Sequence, residues 1–139
     1  MPYLDKSKSD SWITPQNFKD NLPFEFDDYD PCPLNDDYNI DGLKEDWAET
    51  TFVNPPYSKL KTTKKWGIGW IEKAHLEAQK GKTIVMLIPT RTDTTWFHDI
   101  ILANKYEYEF VRGRLKFSNS KNPAPFGSMI IVFKISDSI

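Results

Sequence analysis

From Thr83 to Ile88 the chain reads Thr-Ile-Val-Met-Leu-Ile and then stops at Pro89. A run this short, and apolar without alternation, describes a strand covered on both faces. Helical patterns flank it. Between Trp66 and Gln79 the spacing puts Trp70, Ile71, Ala74 and Ala78 on one side of a helix, with Gly81 where a C-terminal cap belongs. Beyond it, Asp93 or Thr94 can cap a helix carrying Trp96, Phe97, Ile100 and Ile101. Thr51 to Val53 precedes this core as a short strand, and Glu107 to Val111 and Ser128 to Ile135 follow as two more. Strands alternating with helices at this spacing predict an α/β fold with an open, mostly parallel twisted sheet. Ligands of such sheets bind beyond the C-terminal ends of the strands. Asp30, Asn54, Pro89 and Arg112 each follow a predicted strand, so polar groups are delivered to one edge.

The N-terminal part is less regular. Residues 1–11 read as a flexible arm, and residues 12–139 as a single domain, since 139 residues suffice for one core and not two. Thr14-Pro15 suits a helix start, with Thr as cap and Phe18 and Leu22 sharing a face before Pro23. Phe24 to Asp27 alternates like a strand and leads into the loop from Asp30 to Asn35. Residues 38–50 hold no regular pattern, with Gly42 at a turn. No segment is long and apolar enough for a membrane span, and the first twenty residues are not signal-like. The lone Cys32 cannot form an internal disulfide, in keeping with a reducing compartment such as the cytoplasm.

Asn54-Pro55-Pro56-Tyr57, set directly after a buried strand, carries the chemistry. The exocyclic amine of adenine is a poor nucleophile because its lone pair is delocalised into the ring. Accepting hydrogen bonds from both of its N–H groups favours the tetrahedral nitrogen of a transition state. The Asn54 side-chain oxygen and the Pro55 carbonyl can supply the two acceptors. Consecutive prolines stiffen the turn and remove competing N–H donors, and the Tyr57 ring offers a face for an unstacked base. A rigid turn that merely contains Asn and Tyr is the plainer alternative, since Asn-Pro commonly opens turns.

Around that turn the sequence resembles the small phage-type, Dam-like DNA N6-adenine methyltransferases. The matching pieces are Trp12 to Pro15, Asp30 to Pro33, Asp41 to Leu43 with Trp47, and Phe52 to Ser58. Next come Leu87 to Thr94 with Trp96 to His98, Gly113 to Phe117, and Ala124 to Ser128. The resemblance implies a Rossmann-like methyltransferase sheet with an antiparallel strand near the C-terminus. It implies S-adenosylmethionine as cofactor and direct in-line methyl transfer to a flipped-out base, with Asn54, Pro55, Pro56 and Tyr57 holding the adenine. It also places Asp30, Cys32, Thr14 and Pro15 near the cofactor. The usual glycine-rich turn after the Asp-Pro-Cys loop is replaced by Pro33-Leu34-Asn35, and only 23 residues separate Asp30 from Asn54. The cofactor half of the sheet is therefore abbreviated, and the ribose-binding acid is Asp41 or one of Asp36 and Asp37.

Charge is split along the chain. Residues 1–50 hold 13 acids and 4 bases, whereas residues 51–139 hold 7 acids and 14 bases. An acidic half suits a cofactor bearing a sulfonium and an ammonium, and a basic half suits a polyanion. Lys61, Lys64, Lys65, Arg91, Arg112, Arg114 and Lys116 are the candidate DNA contacts. Duplex DNA is the expected partner ahead of a single strand, and the absence of a recognition domain leaves room for a homodimer. If the chain is phage-encoded, its compartment is the bacterial host cytoplasm. Cys32 reads as a packed side chain rather than a nucleophile, His75 as a helix-surface residue, and Trp96 as core. No metal spacing is present. A non-catalytic nucleic-acid-binding module on a decayed methyltransferase fold, and an RNA methyltransferase, are the competing readings.

Overall fold

The computed structural model describes residues 13–33 and 41–135. The expected arm at 1–11, the rival acids Asp36 and Asp37, and the last four residues lie outside them. Four strands form one sheet: β1 (Thr50–Val53), β2 (Thr83–Pro89), β3 (Glu107–Phe110) and β4 (Ser128–Phe133), in the order β1-β2-β4-β3. The β1–β2 pair is parallel, with Thr50 opposite Thr83 and Val53 opposite Met86. β4 runs antiparallel to both β2 and β3. The expectation of a mostly parallel sheet is thus corrected: two of the three pairings are antiparallel. The expected antiparallel strand near the C-terminus is β4, and it lies between β2 and β3. β1, β2 and β3 consequently all point the same way.

β2 forms the centre of the core, and Ile84 to Ile88 are all inaccessible to solvent. The connection from β1 to β2 is the helix α2 (Trp70–Gln79), whose Ile71, Ala74 and Ala78 are buried. Gly81, at φ +95°, ends it in a backbone region costly for other residues. α2 starts four residues later than its apolar spacing suggests, because a turn occupies residues 63–67. α3 (Phe97–Leu102) carries π-type bonds such as Ala103 N–H to the His98 carbonyl at 3.2 Å. Thr94, one of the two expected caps, accepts the Phe97 N–H at 3.4 Å. Trp96 is buried, as its reading as a core residue requires.

Alternate residues of β4 divide the two faces. Phe133 meets Tyr106 at 5.1 Å between ring centroids, and the Tyr106 hydroxyl reaches His75 Nδ1 of α2 at 2.7 Å. His75 is therefore half-buried on α2, with one face packed on Tyr106. Ile130 and Val132 line a groove with Leu22 and Phe24, which follow the short helix α1 (Gln16–Asp20). The alternating segment Phe24 to Asp27 is not a strand. It touches β1 through the Asp27 N–H to the Thr50 carbonyl at 2.9 Å, and the Asp27 carboxylate accepts the Thr50 N–H in return. A side chain there occupies the place of a ladder carbonyl, so pairing stops. Among the described residues no helix is long and apolar enough to cross a membrane.

Glu77 of α2 is wholly buried. Its carboxylate accepts from the Trp47 N–H at 2.6 Å and from Lys73, Lys80 and Lys82 at 3.1, 2.7 and 2.8 Å. Burial by itself would raise its pKa, but the bonds from Lys80, Lys82, the Trp47 N–H and Lys73 outweigh it and hold the carboxyl at about 2. A folded-state pKa below the ordinary 4.5 gives stability that is present above that value and lost as pH falls through about 2. Glu77→Gln is expected to cost on the order of 3 kcal/mol at neutral pH, the scale for breaking a buried ion pair. Thermal melts followed by circular dichroism as the pH falls through this range should show a steeper acid loss in the wild type than in Glu77→Gln. Parallel curves would remove Glu77 from its structural role.

Candidate active site

The chain leaves β1 at Asn54. Pro55 is buried, Pro56 is held at φ −61° and ψ 123°, and a 3₁₀ turn follows at Tyr57–Lys59. The Lys59 N–H returns to the Pro56 carbonyl at 3.1 Å, and the carbonyl of buried Leu60 accepts the Ile71 N–H of α2 at 3.1 Å. The turn is thus fixed at both ends, by β1 and by the start of α2.

Asn54 Nδ2 donates to Thr14 Oγ1 at 3.1 Å. Thr14 was expected to cap α1, but α1 has no side-chain cap bond and Pro15 occupies its N-cap position. The hydroxyl serves the Asn54 amide instead. Neighbouring bonds fix the segment: Ile13 N–H donates to Asn119 Oδ1 at 3.1 Å, and Ser118 N–H to the Ile13 carbonyl at 2.9 Å. With Nδ2 turned toward Thr14, planarity of the amide directs Oδ1 the opposite way.

Thr14, Asp30, Cys32 and Asn54 line one cleft of about 160 Å³, together with Lys19 and Phe52. Four candidates from sequence alone, on three segments far apart in the chain, therefore converge. Asp30 Oδ1 accepts the Cys32 N–H at 2.9 Å, closing the Asp-Pro-Cys loop on itself. Burial raises the Asp30 pKa, while the Cys32 N–H bond and the charge of Lys19 oppose the rise. Lys19 escaped sequence reasoning, although it is the one base between Lys8 and Lys44. Its ammonium lies 5.6 Å from the Phe26 ring centroid and 5.4 Å from that of Phe52. An ammonium and a carboxylate in one cleft complement the two charges of an α-amino acid, which is how S-adenosylmethionine ends.

The structure does not bring every candidate to the cleft. Pro15 heads α1 without lining it. Asp41 closes a turn of its own, accepting the Leu43 N–H at 3.3 Å and facing Lys44 at 3.8 Å. Tyr57 is 8% exposed, and its ring meets the Phe126 edge at 5.7 Å, with Phe117 next in line at 6.3 Å from Phe126. Its hydroxyl is buried without a hydrogen-bond partner among the described residues, and burial raises its pKa. Phe126 has no role assigned from sequence, because a loop so far downstream announces no contact with the turn. A larger groove of about 520 Å³, between Phe24 and the edge strand β3, holds none of these groups.

The candidate DNA contacts lie on the three loops that leave β1, β2 and β3 at the same edge. Lys61, Lys64 and Lys65 follow the turn at Asn54 to Tyr57, Arg91 follows β2, and Arg112, Arg114 and Lys116 follow β3. All seven are exposed, and among the described residues none forms a salt bridge. His98, by contrast, is engaged with the Thr92 carbonyl at 2.8 Å.

Burial, and then the Asp30 charge, push the Cys32 thiol up to about 12. A thiol so protonated near neutral pH is no nucleophile. Iodoacetamide should therefore alkylate Cys32 on the order of a thousand-fold more slowly than free cysteine, whose pKa is about 8.5. Mass spectrometry of the alkylated chain reads this directly, and labelling at the free-thiol rate would contradict it.

Comparison with known proteins gives one firm result. The family model described as DNA N-6-adenine-methyltransferase (Dam) matches residues 3–136. No curated protein and no solved structure matches the chain. The family match spans nearly all of the sequence, including the Asn-Pro-Pro-Tyr turn, both loops of the cleft and the basic loops. The chain belongs to the Dam family of DNA N-6-adenine-methyltransferases, and it is an enzyme of that activity.

Proposed function

We propose that this methyltransferase acts on the N6 amine of an adenine flipped out of duplex DNA, with S-adenosylmethionine as methyl donor. The observation that carries this reading is the hydrogen bond between Asn54 and Thr14, which joins the amine-binding turn to the cleft. In this reading the bond sets the amine beside the cofactor, as a direct transfer requires.

In this reading Asp30 faces the α-ammonium of the cofactor through a charge-assisted hydrogen bond, and Lys19 faces its carboxylate. A cleft of about 160 Å³ has room for that end rather than for the whole molecule. Bound there, S-adenosylmethionine supplies a methyl group on a positively charged sulfur. Asn54 Oδ1 and the Pro55 carbonyl accept the two N–H groups of the adenine amine, drawing its lone pair out of the ring. Asn54 and Pro55 would thus hold the amine toward the methyl group that the cofactor would supply, with the proton shed by the methylated amine passing to water. No covalent enzyme intermediate is needed, which agrees with a Cys32 thiol held protonated. Lys61, Lys64, Lys65, Arg91, Arg112, Arg114 and Lys116 hold the phosphates that flank the extruded base.

Nucleoside mass spectrometry on plasmid DNA co-expressed with the chain should detect N6-methyladenine. Asn54→Ala should nearly abolish it with the fold intact. Tyr57→Phe should retain most of it at unchanged or higher stability, because the hydroxyl lost has no partner among the described residues. Asp30→Ala should weaken S-adenosylmethionine binding about tenfold or more by calorimetry, the scale of a charge-assisted contact. Full methylation by Asn54→Ala would sink the catalytic assignment, and unchanged binding by Asp30→Ala would move the cofactor site.

A further inference from the structure

Trp66 is 66% exposed, whereas Trp47, Trp70 and Trp96 are 3%, 6% and 7% exposed. Large apolar faces are normally withdrawn from water, and this one is held out by construction. Thr63 and Gly67 exchange backbone bonds, Thr63 N–H to the Gly67 carbonyl at 3.0 Å and the reverse at 2.9 Å. The Trp66 N–H donates to Thr63 Oγ1 at 3.0 Å. Gly67 takes φ +84°, a conformation that closes the turn and that a side chain would resist. At its base, Thr62 Oγ1 accepts the Gly69 N–H at 2.9 Å and donates to Glu72 of α2 at 2.6 Å.

The surroundings of the ring are cationic. Lys59 Nζ lies 5.7 Å and Lys65 Nζ 5.1 Å from its centroid. From Thr50 to Ile71 the chain carries four lysines and no acid. Lys59 also closes the 3₁₀ turn that begins at Tyr57, so the exposed indole and the catalytic turn share a residue's reach. A flat aromatic face amid ammonium groups that form no ion pair among the described residues is the composition that binds an unstacked nucleic-acid strand: bases lie on the ring while cations take the phosphates. An apolar protein partner would not call for the lysines. Cation–π contacts at exposed sites are weak, so Lys59 and Lys65 can leave the ring for phosphates at little cost.

We infer that Trp66 is a stacking platform for a base of the DNA strand next to the target adenine, with Lys59, Lys61, Lys64 and Lys65 holding that strand's phosphates. The inference rests on the DNA reading of the basic loops and adds a base contact that phosphate binding alone does not supply. Trp66 touches neither the cofactor cleft nor the methyl-transfer groups, so its contribution is to binding.

The test compares two probes: a short single-stranded oligodeoxynucleotide of mixed sequence and its abasic counterpart, which keeps the phosphates and lacks the bases. Trp66→Ala should bind the normal strand about tenfold or more weakly, as loss of a base–aromatic stack predicts. It should bind the abasic strand like the wild type, which also shows the variant to be folded. Trp66→Phe should recover most of the difference. Tryptophan fluorescence of the wild type should be quenched by the normal strand and not by the abasic one, and Trp66→Phe should lose that quenching. Equal losses on both probes, or no loss on either, would overturn the inference. Plasmid methylation by the wild type with strand affinity indifferent to Trp66 would remove the platform and leave the enzyme reading standing. A wild type that neither binds these strands nor methylates plasmid DNA would overturn both.

Discussion

The carboxylate of Glu77 has no access to solvent, and two strand starts and a helix end are fastened to it. Its partners are the Trp47 N–H, three residues before β1, Lys82, one residue before β2, Lys73 of α2, and Lys80, one residue past its end. An acid near the C-terminus of a helix opposes the helix dipole, so the lysines must offset both that and the cost of burial. They bind the crossover into a unit. The register of β1 on β2, with Thr50 opposite Thr83, is set within a few residues of this junction. Asn54 lies one residue beyond the far end of that pairing. A shift of one residue there would turn the Asn54 side chain to the other side of the sheet, away from Thr14.

Much of this was legible in the sequence, for reasons that differ by element. β2 was plain because a strand buried on both faces has no polar interruption. The turn after β1 was plain because two prolines constrain the backbone locally, so Asn54 needed no tertiary information to be placed. Direction was not legible: β4 is as apolar as a parallel strand would be, and hydrophobicity says nothing of which way a chain enters a sheet. Trp66 fits the helical period of α2, while the Thr63–Gly67 turn that excludes it depends on backbone bonds. A hydroxyl before a proline suits a helix start, so the sequence predicts Thr14 as a cap, and only the folded chain shows it turned to Asn54. Lys19 and Phe126 act through contacts between distant segments, for which spacing carries no signal.

The division of charge along the chain becomes a division of labour across the sheet edge. The acidic first half contributes Asp30 to the cleft, and Lys19 stands out there as a base among acids. The basic second half contributes the three loops after β1, β2 and β3. In the proposed function a cationic cofactor meets the acidic half and an anionic strand the basic loops, with the Asn54–Thr14 bond joining the turn to the cleft.

The reversed direction of β4 fits this arrangement. A strand antiparallel to its neighbours begins at the edge where they end. Thr90, just past β2, bonds to the Gly127 carbonyl at 2.9 Å, and Val111, just past β3, to the Ser128 carbonyl at 2.9 Å. The segment entering β4 is thereby held among the loops that carry the site, and Phe126 is brought against Tyr57. A parallel strand in that position would send its beginning to the opposite edge and leave the Tyr57 ring without this wall. A four-stranded sheet has few strand ends to spend on a site, and the antiparallel insertion lets all four contribute one to the same edge.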